Sequence, residues 1–131
     1  MNKIVLFTQA ILLIIFTLAS CSGGSSIDEA AMAVETYIRA LANRDLNDIT
    51  SIVCLAWGEQ AQLEFNSFSA VTAKVEGLEC QVTSSEGDYA VVECQGVLIT
   101  NDGEDDQEIQ LKVNHYQTLF EEGKWRMCGY H

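Results

Sequence analysis

The spacing of apolar residues changes once along this chain, near Thr72, and the change limits the folds that the chain can adopt. Before it, apolar residues recur three and four positions apart, as on one face of a helix; the first set is Ile27, Ala30, Val34, Ile38 and Leu41. After it, apolar and polar residues alternate, as on a half-buried strand. Helices followed by strands indicate an α+β domain, with N-terminal helices packed on a curved four-stranded antiparallel sheet.

Three helical segments are predicted before this change. Ser26–Glu29 has the pattern of a capping box and should open a helix that runs to about Ala42. Asp45 is the start signal of a second helix, which Gly58 should end or kink. The third segment, Gln60–Phe68, contains two phenylalanines that we expect to pack in the core rather than to form a ligand cage.

Four strands are predicted after the change, joined by turns that contain glycine and acidic residues. They are Val75–Thr83, Tyr89–Thr100, Glu108–Phe120 and Lys124–Tyr130. Residues 102–108 carry five acids, but their order lacks the alternating ligands and distal glutamate of an EF-hand loop. We therefore expect a solvated hairpin tip and no metal.

Residues 1–20 have the pattern of a secretory signal peptide. Lys3 precedes an almost wholly apolar run that ends in small residues. The run is short for a membrane-spanning helix, which needs about 20 apolar residues. Its end, Leu18-Ala19-Ser20-Cys21, resembles the lipobox of bacterial lipoproteins, in which the cysteine thiol receives a diacylglycerol and the chain is cut just before it.

The lipobox resemblance implies a mature chain that begins at lipidated Cys21. The alternatives are an ordinary signal peptide with a chance cysteine, or an uncleaved anchor. Residues 21–26 would be a flexible tether, and residues 27–131 are the right length for one domain. We predict a lipid-anchored protein on the extracytoplasmic side of a membrane of the bacterial cell envelope.

The remaining cysteines are Cys54, Cys80, Cys94 and Cys128, an even number that favours disulfides outside the cytosol. No pair has the C-x-x-C spacing of a zinc site. Cys80 and Cys94 each lie seven residues from Gly87, so a hairpin centred there would place them opposite each other. Of the three possible pairings we therefore favour Cys80–Cys94 with Cys54–Cys128. The alternative is four buried thiols.

Two stretches resemble a known family. Val34–Leu41 followed by Asp45-Leu46 is similar to the opening helices of nuclear transport factor 2-like domains, and Phe120–Met127 is similar to their final hairpin. Within that superfamily the chain resembles small bacterial lipoproteins of unknown function. The resemblance covers residues 27–131 and implies a cone-shaped fold with a pocket between helices and sheet. Some members bind ligands there, and others are isomerases, dehydratases or cyclases that use acidic or histidine residues.

No catalytic residue of that family can be carried onto a matched position of this chain. The residues offer His115 as the candidate base, because mid-strand it could point into the cone, with Glu93 or Glu79 as the accompanying acid. The alternative is a partly exposed or hydrogen-bonded histidine without a catalytic role. Trp57 and Trp125 should lie in the core or line the pocket.

Three functions follow as hypotheses: a membrane-anchored, non-enzymatic binding or interaction domain; a cone-pocket enzyme; or a structural envelope component without a ligand. The anchor and the missing catalytic set favour the first. Lys3 is the only basic residue in the first 20, so its removal takes the net charge from −12 to −13, which disfavours nucleic acid. We expect no cofactor. The partners we expect are the membrane, through the N-terminal lipid, and a small apolar ligand or an envelope protein.

Overall fold

The computed structural model describes residues 26–131. The predicted signal peptide, Cys21 and the tether up to residue 25 lie outside the described residues. Within residues 26–131, no helix has both the length and the apolar character needed to cross a bilayer.

Three α-helices come first, α1 (Asp28–Asn43), α2 (Leu46–Ile52) and α3 (Gly58–Ser67). Ser26 Oγ accepts a hydrogen bond from the Asp28 N–H at 3.2 Å, and Asp45 Oδ1 accepts one from the Asp48 N–H at 3.0 Å. These side chains satisfy donors that a helix leaves free in its first turn. Asp45 is the N-cap of α2, as predicted. The capping box predicted for α1 does not form, because the N-cap is Ile27, which has no capping side chain, and Ser26 lies one residue before it.

The expected role of Gly58 is wrong, because this glycine begins α3 and α2 ends earlier, at Ile52. The next residue, Val53, forms a parallel bridge with Met127 of the last strand. The Cys54 N–H donates to the Met127 carbonyl oxygen at 2.9 Å. Pairing with the sheet thus holds the chain extended at a point where apolar spacing alone predicts more helix.

Five antiparallel strands follow, β1 (Thr72–Glu86), β2 (Tyr89–Asn101), β3 (Asp106–Gln110), β4 (His115–Glu121) and β5 (Lys124–Tyr130). The sheet order is β1-β2-β4-β5, and β3 also pairs with β2. The predicted α+β cone is confirmed, but with five strands rather than four.

The predicted single strand Glu108–Phe120 is wrong because one 3₁₀ turn, Leu111–Val113, divides it into β3 and β4. The two halves pair with different parts of β2, on either side of Gly96. Gly96 has a φ of 110°, and a Cβ there would lie 2.7 Å from the Glu76 carbonyl oxygen. The close approach of β2 to β1 at this point therefore needs glycine. The 3₁₀ turn therefore lies where the pairing passes from one part of β2 to the other.

Both favoured disulfide pairings are present, Cys54–Cys128 and Cys80–Cys94, with Cα–Cα distances of 5.3 and 4.0 Å. Cys80 and Cys94 are direct partners in the β1–β2 register. The hairpin tip pairs Glu86 with Tyr89, so it is centred half a residue beyond Gly87, and an irregularity at Thr83 restores the register. The pairing was predicted correctly although the centre of the hairpin was not.

The core lies between α1 and the inner face of the sheet. Its fully buried side chains include Val34, Tyr37, Ile49, Val92 and Met127. Trp125 and Phe68 are buried as expected, and Phe65 and Trp57 pack against the core. The buried cluster that the structure describes and both disulfides lie within residues 26–131.

Candidate functional site

A cavity of about 400 Å³ opens between the helices and the sheet. Helices α1 and α3 form one wall, and strands β2 to β5 with the 3₁₀ turn form the other. Its apolar lining comes from Ile38, Leu41, Phe68, Leu98 and Leu111. The cone is therefore open, with apolar walls of the kind that small-molecule sites have.

Two tyrosine hydroxyls from different elements meet in this cavity at one carboxylate, that of Glu64 on α3. The Tyr37 hydroxyl, from α1, donates to Glu64 Oε2, and the Tyr130 hydroxyl, from β5, donates to Oε1 at 2.8 Å. Tyr116, from β4, lies beside Tyr130 with ring centroids 5.6 Å apart. The Asn114 Nδ2 donates to the Tyr116 hydroxyl at 3.4 Å. Glu64 is the one charged side chain among the residues that line the cavity.

The environment keeps the three tyrosine hydroxyls protonated. Burial raises the pKa of Tyr37 far above its usual value; the hydrogen bond to Glu64 and the carboxylate charge raise it further, and the Trp57 indole opposes them. The pKa of Tyr130 is raised by the same causes, burial first and then Glu64. Burial also raises the pKa of Tyr116. At neutral pH these side chains therefore act as donors beside an acceptor carboxylate.

His115 lies on the opposite, outer face of the sheet, so a cone-facing position for it is wrong. Its side chain is 48% exposed, and its Nδ1 lies 3.1 Å from Glu93 Oε1, directly across the β4–β2 pair. Because β4 starts at His115 after the 3₁₀ turn, strand alternation directs Tyr116 and Thr118 inward and His115 outward.

The acids suggested for the pocket are also on the outer face. Glu79 and Glu93 line a separate groove of about 440 Å³ together with Gln81, Gln95 and Lys112. The structure therefore brings His115 and Glu93 together, but outside the cone. The acidic residue that lines the cone cavity is Glu64, which the sequence patterns did not single out.

The acidic loop is exposed, as expected for a hairpin tip. Asp102 Oδ1 accepts hydrogen bonds from the backbone N–H groups of Glu104 and Asp105, and these bonds lower the pKa of the Asp102 carboxyl. In the part of the chain that the structure describes, no group of three or more His, Cys, Asp or Glu residues is arranged to hold a metal ion.

The sequence gives one weak signal for the Glu64 site. Glu64 lies four residues from both Gln60 and Phe68, so all three share a helix face. Because Phe68 is expected in the core, a glutamate on the same face needs a hydrogen-bond or charge partner. Its partners are 27 and 66 residues away along the chain, beyond the reach of spacing arguments.

No protein-family model matches the chain, and no curated protein matches it either. Solved structures do resemble it. A candidate dehydratase of the nuclear transport factor 2-like family from Streptomyces avermitilis aligns with a TM-score of 0.57 at 14% identity, over 80% of this chain and 92% of that one. A candidate ketosteroid isomerase from Shewanella frigidimarina aligns with a TM-score of 0.54 at 11% identity, over 79% and 93%.

A third similar structure is the intermembrane space region of the chloroplast protein ARC6. It aligns with a TM-score of 0.58 at 10% identity, over 82% of this chain and 95% of that one. At such identities the likeness is one of fold, and different functions occur on one fold. The chain therefore has the nuclear transport factor 2-like fold that its sequence resembles.

Proposed function

We propose that this domain, with its nuclear transport factor 2-like fold, is the binding domain of a lipid-anchored extracytoplasmic bacterial protein, and that it holds a small, largely apolar ligand in the cone. The observation that carries the proposal is the open cavity of about 400 Å³ with apolar walls and a few convergent polar groups. Ligand sites commonly have this size and composition. A purely structural domain would gain stability by filling the same space with side chains.

The anchor is proposed from the residues before the domain. Leu18-Ala19-Ser20-Cys21 supports lipidation, and the two disulfides fit an oxidising compartment outside the cytosol. A single acyl chain holds a protein on a membrane only marginally, so the diacylglycerol of a lipobox cysteine would provide the second chain that stable anchoring needs.

The alternative is a cone-pocket enzyme with Glu64 as a general base. The same carboxylate favours it, because a carboxylate held in an apolar pocket is a common arrangement for proton abstraction. The two functions differ in what happens to the ligand, since a binding protein releases it unchanged.

Calorimetric titration of residues 26–131 with the neutral apolar probe N-phenyl-1-naphthylamine tests the binding site. We expect one saturable site, and about tenfold weaker binding after Leu63→Trp, which narrows the cavity mouth where Leu63 is 58% exposed. The probe recovered afterwards should have an unchanged mass. An altered mass would favour the enzyme.

The matched control is Leu55→Trp. Leu55 is 88% exposed and lines a different groove, next to Cys54. This variant should bind the probe as the parent does. Absence of saturable binding in the parent, or equal losses in the two variants, would contradict a ligand site in the cone.

Lipidation is tested by mass spectrometry of the full chain extracted from bacterial membranes. The mature protein should lack residues 1–20 and carry acyl chains on Cys21, and Cys21→Ala should block processing. Mature protein that retains Met1, or normal processing of the variant, would contradict the anchor without affecting the cavity.

A further inference from the structure

We infer that the cone selects ligands whose apolar body carries a positively charged nitrogen, and that Glu64 is the group that binds this charge. The inference rests on the proposed function, because it names the ligand class of the same cavity. It follows from the charge balance of the cavity, from the state of the tyrosines and from the shape of the mouth.

The cavity carries a negative charge that no positive side chain in its described lining balances. Glu64 is the charged member of the lining, and within residues 26–131 its carboxylate receives two tyrosine hydroxyls and forms no ion pair. A ligand that covers the cavity removes water from this carboxylate, and a buried charge is costly unless a counter-charge accompanies it. A cationic ligand brings that counter-charge, whereas an anionic one adds repulsion to a chain of net charge −12.

The carboxylate also has room for another donor. An ionised carboxylate offers about four lone-pair positions, and the hydroxyls of Tyr37 and Tyr130 occupy one on each oxygen. Because both hydroxyls stay protonated, they orient the carboxylate without adding a charge of their own. An ammonium group can therefore approach Glu64 while both tyrosine contacts remain.

Three tyrosines line the cavity that contains Glu64. Tyr37, Tyr116 and Tyr130 all line the cavity, and the rings of Tyr116 and Tyr130 meet at 53°. Aromatic faces attract cations, more strongly when water is excluded, and aromatic cages are a recurrent means of binding ammonium groups. A cavity lined by three tyrosines and one glutamate thus fits an ammonium group better than it fits a neutral polar group.

The side chains at the mouth of the cavity favour an apolar body for the rest of the ligand. Leu63 and Ile109 line the cavity and are 58% and 42% exposed, so they offer apolar contact at its rim. Deeper in the cavity, Phe68, Leu98 and Leu111 are buried. An alkyl or aromatic body can therefore contact apolar side chains along its length while its nitrogen lies beside Glu64.

The test uses three probes that share one alkyl chain and differ in the head group. Residues 26–131, which contain the described core and both disulfides, are titrated calorimetrically at neutral pH with octylammonium, 1-octanol and octanoate. We expect octylammonium to bind about tenfold more tightly than octanol, and octanoate more weakly than octanol. Equal affinities of octylammonium and octanol would overturn the inference.

Glu64→Gln should bring the affinity ratio of octylammonium to octanol to about one. Its control is Glu59→Gln, which removes the same charge from an exposed position on the same helix and should preserve the ratio. Equal reductions in both variants would assign the preference to the overall charge and overturn the role of Glu64. If Glu64→Gln does not fold, the comparison of the three probes on the parent still decides whether the cavity prefers a cation.

The same titrations separate this inference from the proposed function. Binding of octanol without any preference for octylammonium would leave an apolar ligand site and remove its charge selectivity. Failure of all three probes to bind would contradict both.

Discussion

Glutamates meet hydrogen-bonding ring side chains on both sides of the sheet, and the two arrangements differ in how they are built. On the outer face, Glu93 and His115 are direct partners on neighbouring strands and are about half exposed. On the inner face, Glu64 comes from a helix and meets tyrosines from α1 and β5 inside the cone. The outer pair needs only the register of two strands, whereas the inner site requires the helices to pack on the sheet.

This difference separates a surface contact from a candidate site. An exposed polar contact of this kind gains little, because water competes for both groups and the side chains lose freedom when they pair. The inner group lies where a ligand can displace water, and there each polar contact counts for more. The inner site should therefore be coupled to the stability of the fold, and the outer pair should not.

The largest expected difference is in the free energy of unfolding that is lost when a ring side chain is truncated at the inner or the outer position. Tyr37 is 1% exposed, and Tyr37→Ala should lower the free energy of unfolding by about 4 kcal/mol, as aromatic truncations in protein cores do. His115→Ala should change it by less than about 0.5 kcal/mol. Urea denaturation measures both, and similar losses in the two variants would break the comparison.

Alkaline pH should lower the stability of the fold by a smaller amount. Because the pKa of Tyr37 is raised in the fold, the folded chain keeps this proton when the unfolded chain loses it. The stability that Tyr37 contributes is present below about pH 10 and falls as the pH rises above it, by about 1.4 kcal/mol per pH unit. Tyr37→Phe should make the fall shallower in urea denaturation.

The control for this pH dependence is Tyr89→Phe, which removes an exposed hydroxyl from the start of β2. It should leave the slope of stability against pH as it is in the parent. An unchanged slope in Tyr37→Phe would show that this hydroxyl is not the group that is held protonated.

The smallest expected effect belongs to the outer pair. A double-mutant cycle with Glu93→Gln and His115→Gln should give a coupling energy below about 1 kcal/mol, because both side chains are well exposed. A coupling of several kcal/mol would show that the outer groove is more rigid and less solvated than its exposure indicates.

The order and type of the elements could be predicted because they depend on local patterns. The change from helical spacing to alternation near Thr72 lies where β1 begins, and Asp45 lies where α2 begins. The Cys80–Cys94 pairing was also reachable from counting around Gly87. The hairpin is centred half a residue beyond Gly87, but the irregularity at Thr83 shifts the register back, so that Cys80 and Cys94 still face each other.

The division of the third strand and the Glu64 site could not be predicted in this way. The break at Leu111 separates two segments that pair with β2 on either side of Gly96, and residues 108–120 do not encode this pairing. Glu64 acquires its role from tyrosines far along the chain, and Tyr37 reads as an ordinary core residue of α1. Both features depend on tertiary packing, which overrides the local pattern.

The inner cavity, and not the outer groove, is the proposed ligand site. Heteronuclear NMR of residues 26–131 titrated with 1-octanol tests it most directly, because each backbone amide reports its own surroundings. Saturable shifts are expected at cavity-lining residues such as Leu98, Leu111 and Tyr116, while the amides of Glu93 and Gln95 stay unchanged. Shifts confined to the outer groove, or no saturable shifts at the cavity residues, would contradict it.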